Sequence, residues 1–358
     1  MKPLRRLLLF AAAVAFAVSG CFQLKAEPIP LLPGPVTQEE IEENRSPKLS
    51  WLRFLNIAEN GPIVPGLRQG LVPQGLDYLP EEDWLIISGY RDNDTSLVVV
   101  VHGESGELVK AVSFRLPGGG AYRGHAGGVA VSDRHLWLAS GSQVYWVRLD
   151  KFIAARDGTE ITFDGTARID ARASFVSVTD GVLWVGDFAY EAEGYETAGH
   201  HKLRNRQGRQ HHGLIAGYKL DPATDLIPAS RPKANGVYIP DYVLSIPDKI
   251  QGSYILGDYI ILTESYGRRN DSHLFIYENP LDEPAHRTVW IAGTEVPVWF
   301  LDDGNRVDSW VLPPMVESVV ERDGRIYIMF ESAALKYMPN GRYALSRLQI
   351  VDTADLLP

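Results

Sequence analysis

Residues 74–101 read QGLDYLPEEDWLIISGYRDNDTSLVVVV, and residues 251–277 read QGSYILGDYIILTESYGRRNDSHLFIY. Each opens on Gln-Gly and continues into a short apolar strand, an acidic turn and a second apolar strand ending in Tyr. An Arg/Asn/Asp loop then leads to a third strand. Apolar, β-branched and aromatic runs of this length between turn residues read as strands rather than helices. Fainter copies fill the rest of the chain: GGVAVSDRHLWLASGSQVYWVRL from Gly127, FVSVTDGVLWVGDFAY from Phe175 and ESVVERDGRIYIMFES from Glu317. Starts near 74, 127, 174, 251 and 317 give a mean period of about 60 residues, a spacing at which each repeat is one supersecondary unit.

Repeated β units of this size, their edges hidden by radial closure, resemble a β-propeller. Five units are present. The last one supplies the strands ESVV, RIYIMFES and RLQIVD but lacks a fourth, which GPIVPGL (61–67) could add to close the ring. The alternative is six blades, the extra one hidden in 285–312. A pair of β-sandwiches fits less well, because the repeats match one another too regularly. The resemblance implies that the first strand of each blade lines a central channel. Its starting end would open on the face that also carries the loops between second and third strands.

The chain begins MKPLRRLLLFAAAVAFAVSGC, in which Lys2, Arg5 and Arg6 precede an apolar run from Leu7 to Val18. The run is short for a bilayer span and has the layout of an export signal. Val18-Ser19-Gly20-Cys21 resembles the lipobox of bacterial lipoproteins. That resemblance implies removal of residues 1–20, lipidation of Cys21 and attachment of the protein to the bacterial cell envelope. Phe22, standing where an Asp would favour inner-membrane retention, points to the outer membrane. The alternative is an ordinary secretory signal that happens to contain a Cys. Cys21 is the single cysteine, so neither a disulfide framework nor a thiolate metal cluster is available. Residues 21–49, with five prolines after Cys21, read as a lipidated Cys and a Pro-rich tether, and 50–358 as the propeller domain.

Loss of the three basic residues with the leader takes the formal charge from −10 to −13. Such an anion does not suit nucleic-acid binding, and anchoring to membrane is left to the acyl chains. The sequence contains no GxSxG, P-loop, HExxH or helix-opening GxGxxG.

On the propeller reading, the inner-strand starts Gln74, His125, Ser174, Gln251 and Glu317 converge at one channel end. They could hydrogen-bond a polar ligand or hold a hard divalent cation such as calcium; equally, they could satisfy one another and channel water. Tyr90 and Arg91 in one polar loop, and Tyr266 and Arg268 in its counterpart, belong to the same face. They offer stacking planes and guanidinium forks, or merely set turns and pair with nearby acids.

GHHKLRNRQGRQHHG (199–213) falls between the second and third strands of the third repeat, where a long insertion overhangs the channel mouth. Its histidines, His200 and His211 among them, suggest a metal, with Gly208 near the tip of a hairpin. Lys202, Arg204, Arg206 and Arg209 argue against one. A basic lid or a solvated, mobile loop is the stronger expectation, and removal of 200–211 is expected to spare folding. The leading functional expectation is an anchored propeller that binds a small polar or anionic molecule, a glycan or a protein partner at the channel mouth. One alternative is a metal-assisted lactonase, esterase, glycosidase or phosphohydrolase in which Glu317 and His125 hold a cation or activate water. The other is an envelope-assembly scaffold.

Overall fold

A computed structural model describes residues 31–36 and 47–358; the lipobox and most of the proposed tether lie outside the described residues. Among those described, no helix is long and apolar enough to cross a membrane.

The protein is a five-bladed β-propeller. Blade 1 runs Val72–Leu79, Trp84–Arg91, Asp94–His102 and Leu108–Arg115 from the inside out. Blade 2 begins at Gly128–Val131 and ends at Gly165–Ile169; blade 3 begins at Phe175–Thr179 and ends at Tyr242–Ile246. Blade 4 consists of Ile250–Leu256, Tyr259–Glu264, Ser272–Glu278 and Arg306–Leu312. Blade 5 takes Val316–Arg322, Arg325–Phe330 and Arg347–Asp352, and its outer strand is Glu59–Ile63 from the other end of the chain. The closing strand therefore sits slightly earlier than 61–67, and an ion pair between Arg325 and Glu59 bridges the seam.

Residues 285–312 make no sixth blade. The hairpin Arg287–Ile291/Thr294–Phe300 pairs in parallel with the outer strand of blade 3, while Arg306–Leu312 completes blade 4. The same device recurs twice. Glu160–Thr162, on the way to the outer strand of blade 2, pairs with the outer strand of blade 1. Val237–Tyr238, on the way to the outer strand of blade 3, pairs with that of blade 2. Each excursion covers a preceding edge that would otherwise offer unpaired backbone groups.

Five buried apolar clusters separate the five blades, one at each interface around the ring. A central strand thus buries both faces, which is why its sequence is continuously apolar rather than alternating. In 97–101, Leu97, Val99 and Val101 face blade 5 and Val98 and Val100 face blade 2. The Gln-Gly repeat has its own cause. A Cβ on Gly75 would lie 2.4 Å from the backbone nitrogen of Val129, and one on Gly252 would lie 2.7 Å from the carbonyl oxygen of Glu317. Inner strands approach backbone to backbone there, and only glycine leaves the room.

Residues 31–36 lie on the domain. Gly34 exchanges two 2.8 Å backbone hydrogen bonds with Leu108, and Leu31 and Val36 pack on the cluster between blades 1 and 5.

Candidate functional site at the channel mouth

All five inner-strand residues singled out from the sequence, Gln74, His125, Ser174, Gln251 and Glu317, border one cavity of about 620 Å³. Ser140 and Gly141 from blade 2 and Ser265, Tyr266 and Arg268 from blade 4 complete much of its wall. Arg172 and the insertion residues Phe188 and Tyr195 form the rest of the rim near blade 3.

At the floor two carboxyl groups meet. Glu331 follows the second strand of blade 5 directly, and its backbone N–H donates to the Met315 carbonyl (3.0 Å). The pairing of Val316 with Phe330 sets it diagonally across from Glu317. The two are 2% and 9% exposed and hydrogen-bond each other. Gln74 Nε2 donates to Glu331 Oε2 at 2.9 Å. Burial, the neighbouring Glu331 charge and the hydrogen bond to it all raise the Glu317 pKa well above the carboxylate range. Burial also pushes Glu331 up, and hydrogen bonds from Glu317 and Gln74 limit the rise to about 7. Two carboxyls this close do not ionise independently, so near neutrality the pair holds one to two protons and can both donate and accept.

His125 is the neutral neighbour. Burial, helped by the Lys336 charge, lowers its pKa to about 4, and its ring stacks on Tyr90 at 4.6 Å. His125 and Glu317 both border the cavity, and the hydrogen-bonded neighbour of Glu317 is Glu331. Tyr90 stands behind this wall rather than on the cavity. Its hydroxyl meets that of Tyr337 (2.9 Å) and accepts from Lys336 Nζ (3.0 Å), which also pairs with Asp92 (2.8 Å).

The two loop arginines part ways. Arg91 turns back on its own loop, with Nε on the Thr95 carbonyl (2.8 Å) and Nη1 on Asp94 (3.0 Å), and does not border the cavity. Arg268 borders it, lies over the Tyr337 ring at 4.8 Å and forms no ion pair among the described residues.

Glu331, Lys336, Tyr337 and Arg172 escaped the sequence reading. Three of them lie in 331–346, a segment too long for a hairpin turn. That length was the available signal.

The insertion between Val182–Gly186 and Gly213–Lys219 is not a mobile, solvated loop. It forms a small ribbon, Leu203–Arg204 with Gln210–His211, with Gly208 near its tip at φ +79°. His211 is buried, with Nδ1 at 3.1 Å from Ser245 Oγ and Nε2 at 3.2 Å from Asn205. His200 Nε2 lies 2.8 Å from Asp170. Neither histidine borders the cavity. The basic residues are spoken for: Lys202 pairs with Glu191, Arg206 with the fully buried Asp302 (2.6 Å) and Arg209 with Asp303 (2.6 Å). Arg204 donates to the Gly208 carbonyl (3.0 Å). A basic lid is therefore not what this segment presents.

No family model matches the chain and no curated protein matches it. Solved structures do. The GH43_1 enzyme from Xanthomonas citri, complexed with xylose, is similar over 84% of this chain and 91% of its own, at 12% identity and a TM-score of 0.44. Myxococcus xanthus glutaminyl cyclase is similar over 83% of this chain and 94% of its own, at 9% identity and a TM-score of 0.42. Kuenenia stuttgartiensis hydrazine synthase is similar over 72% of this chain, which spans 55% of that longer one, at 10% identity and a TM-score of 0.35. These are likenesses of chain path, and no residue role is carried over from them.

Proposed function

We propose that this protein is a lipid-anchored propeller of the bacterial envelope that binds a small polar molecule bearing an anionic group at the channel mouth. The observation that carries the reading is the division of the cavity into a rim and a floor. The rim holds Arg268, a guanidinium that forms no ion pair among the described residues, and also Arg172. The floor is built of uncharged or proton-sharing groups: Gln74, Gln251, Ser174 and the Glu317–Glu331 pair. An anion would sit on the guanidinium, where charge-assisted hydrogen bonds are strongest, and hydroxyl or amide groups would reach the floor. Tyr266, Tyr195 and Phe188 supply apolar faces between the two, the mixture found in small-molecule sites.

Calorimetric titration with uronic acids and phosphorylated sugars, set against their uncharged counterparts, tests this. At least one anionic ligand is expected to bind, and Arg268→Ala to weaken it about tenfold or more, as loss of one charged hydrogen bond implies. Binding that ignores both charge and Arg268 would overturn the reading.

A hydrolytic role is the second reading, favoured by the proton shared between Glu317 and Glu331. Such a pair can take a proton from water and return one to a leaving group. Glu317→Gln would then abolish turnover with folding unchanged, whereas a pure binder shows no turnover to lose. The lipid anchor rests on the Val18–Cys21 motif, and mass spectrometry of the exported protein for a diacylated Cys21 tests it.

A further inference from the structure

We propose that Asp170, His200 and His201 form a binding site for a divalent transition metal of the zinc class. The site would clamp the blade 3 insertion to the connection between blades 2 and 3. It lies outside the cavity lining and does not depend on the ligand reading above.

The donor atoms are already gathered. His200 and His201 share one 3-10 turn, Gly199–His201, and their rings stand perpendicular with centroids 4.4 Å apart. Both Nε2 atoms thereby face one carboxylate: His200 Nε2 is 2.8 Å from Asp170 Oδ2, and His201 Nε2 is 3.3 Å from Asp170 Oδ1. One ligand atom from each residue lies within 4.8 Å of the other two. In a tetrahedral zinc site with bonds of about 2.0–2.2 Å, neighbouring donors stand roughly 3.3 Å apart, the range in which both histidine–Asp170 pairs already lie. Two imidazoles with a carboxylate suit zinc better than calcium or magnesium.

A second observation points the same way. The other nitrogen of His201, Nδ1, lies 2.8 Å from Asp187 Oδ2. Asp187 is fully buried and held by the backbone N–H groups of Arg172 (2.6 Å) and Leu214 (3.1 Å). In the neutral ring, donation from Nδ1–H to Asp187 leaves the Nε2 lone pair aimed at Asp170; in the protonated ring both nitrogens donate. The former is the carboxylate–histidine–metal arrangement that orients ligands in metalloproteins. A lone pair facing a carboxylate requires something positive between them, either a proton or a metal ion. A divalent ion balances Asp170 and Asp187 together. The His200 side chain is 36% exposed, which leaves a solvent-side position for a fourth ligand.

The basic character of 199–213 had argued against a cation here. The ion pairs of Lys202, Arg206 and Arg209 remove most of that objection, since each is neutralised by its own acid. Arg172 remains nearby, with Nη1 on the Glu196 carbonyl (2.7 Å).

The test uses the full chain, purified without a polyhistidine tag, stripped with a chelator and titrated with Zn²⁺ alone by calorimetry. Co²⁺ is titrated in parallel and followed by visible absorption. One equivalent of Zn²⁺ is expected, with a thermal upshift and cobalt d–d bands of four-coordinate intensity. His200→Ala should lower affinity at least 100-fold. Asp187→Asn should cost about 10–100-fold, as loss of an outer-shell partner does. His212→Ala, which alters the separate His212–Asp248–Glu191 cluster, should bind as wild type. Because His200 is partly exposed, its variant stays informative even if Asp170 or His201 variants fail to fold. No uptake by the wild-type chain would mean that only a proton bridges the pair. That result, or wild-type binding by His200→Ala, overturns the proposal.

Discussion

Glu331 shows what a single buried group does at the residue scale. Its pKa is raised from the ordinary 4.5 to about 7, chiefly by burial. The folded protein therefore holds a proton that the unfolded chain releases. Stability falls as pH rises from about 4.5 to about 7 and is level for this group above that. Glu331→Gln keeps a neutral side chain of the same shape, so the variant should show a shallower decline. Urea denaturation at pH 5 and pH 8 should give a difference between variant and wild type on the order of 2 kcal/mol, growing with pH. Equal slopes would mean that the pair does not share a proton. Binding of an anionic ligand should likewise weaken as pH rises through about 7, because the floor then gains negative charge; calorimetry across that range checks it. Gln74, Gln251 and Glu317 were legible in the sequence because a repeat aligns them. Glu331 was not, although the repeat copy 317–332 contains it: it follows the second strand, and only the pairing of that strand with the first sets it against Glu317.

Elements explain both glycine positions and the insertion. Gly75→Ala places a Cβ 2.4 Å from Val129 N, a backbone atom that cannot swing away. A loss of about 1–3 kcal/mol follows, measurable by chemical denaturation. Gly118→Ala, with nothing within 4 Å of the added Cβ, should be near neutral. In the insertion, removal of 200–211 can no longer be expected to spare folding. It takes Leu203 from the cluster between blades 2 and 3 and strips Asp302 of Arg206. Arg206→Ala alone should cost about 2–3 kcal/mol by leaving the Asp302 carboxylate buried without its guanidinium; a change below 0.5 kcal/mol would show the pair to be dispensable. The sequence shows the insertion's length and charge. It does not show that its partners, Asp302 and Asp303, come from another blade's excursion.

For the whole molecule, closure decides stability. Glu59–Ile63 completes blade 5, and the segment before it buries Trp51 and Phe54 fully. Deleting 31–63 opens the ring, exposes the edge strand Arg347–Asp352 and empties two aromatic sites worth about 3–5 kcal/mol each. The melting temperature should drop by about 10 °C or more, with aggregation from the new edge. Calorimetry that shows an unchanged transition would mean the ring holds without its closing strand.

The sequence by itself determined the repeated β unit of about 60 residues, the inward glutamines and the need for a closing strand; the choice of five blades over six came with the pairing of 287–300 onto blade 3. Strand patterning and glycine placement are local consequences of burying both faces of every blade, so they are written in each repeat. Only the tertiary structure decided which loops meet. It brought Glu331 onto Glu317, turned Arg91 away and Arg268 inward, and laid two histidines of one turn on Asp170. Those contacts join segments tens of residues apart, set by ring closure and interblade packing, and no local pattern records them. The stretch GHHKLRNRQGRQHHG, read alone, is basic; in the fold Lys202, Arg206 and Arg209 pair with neighbouring acids, Arg204 caps a carbonyl, and His200 and His201 face one carboxylate.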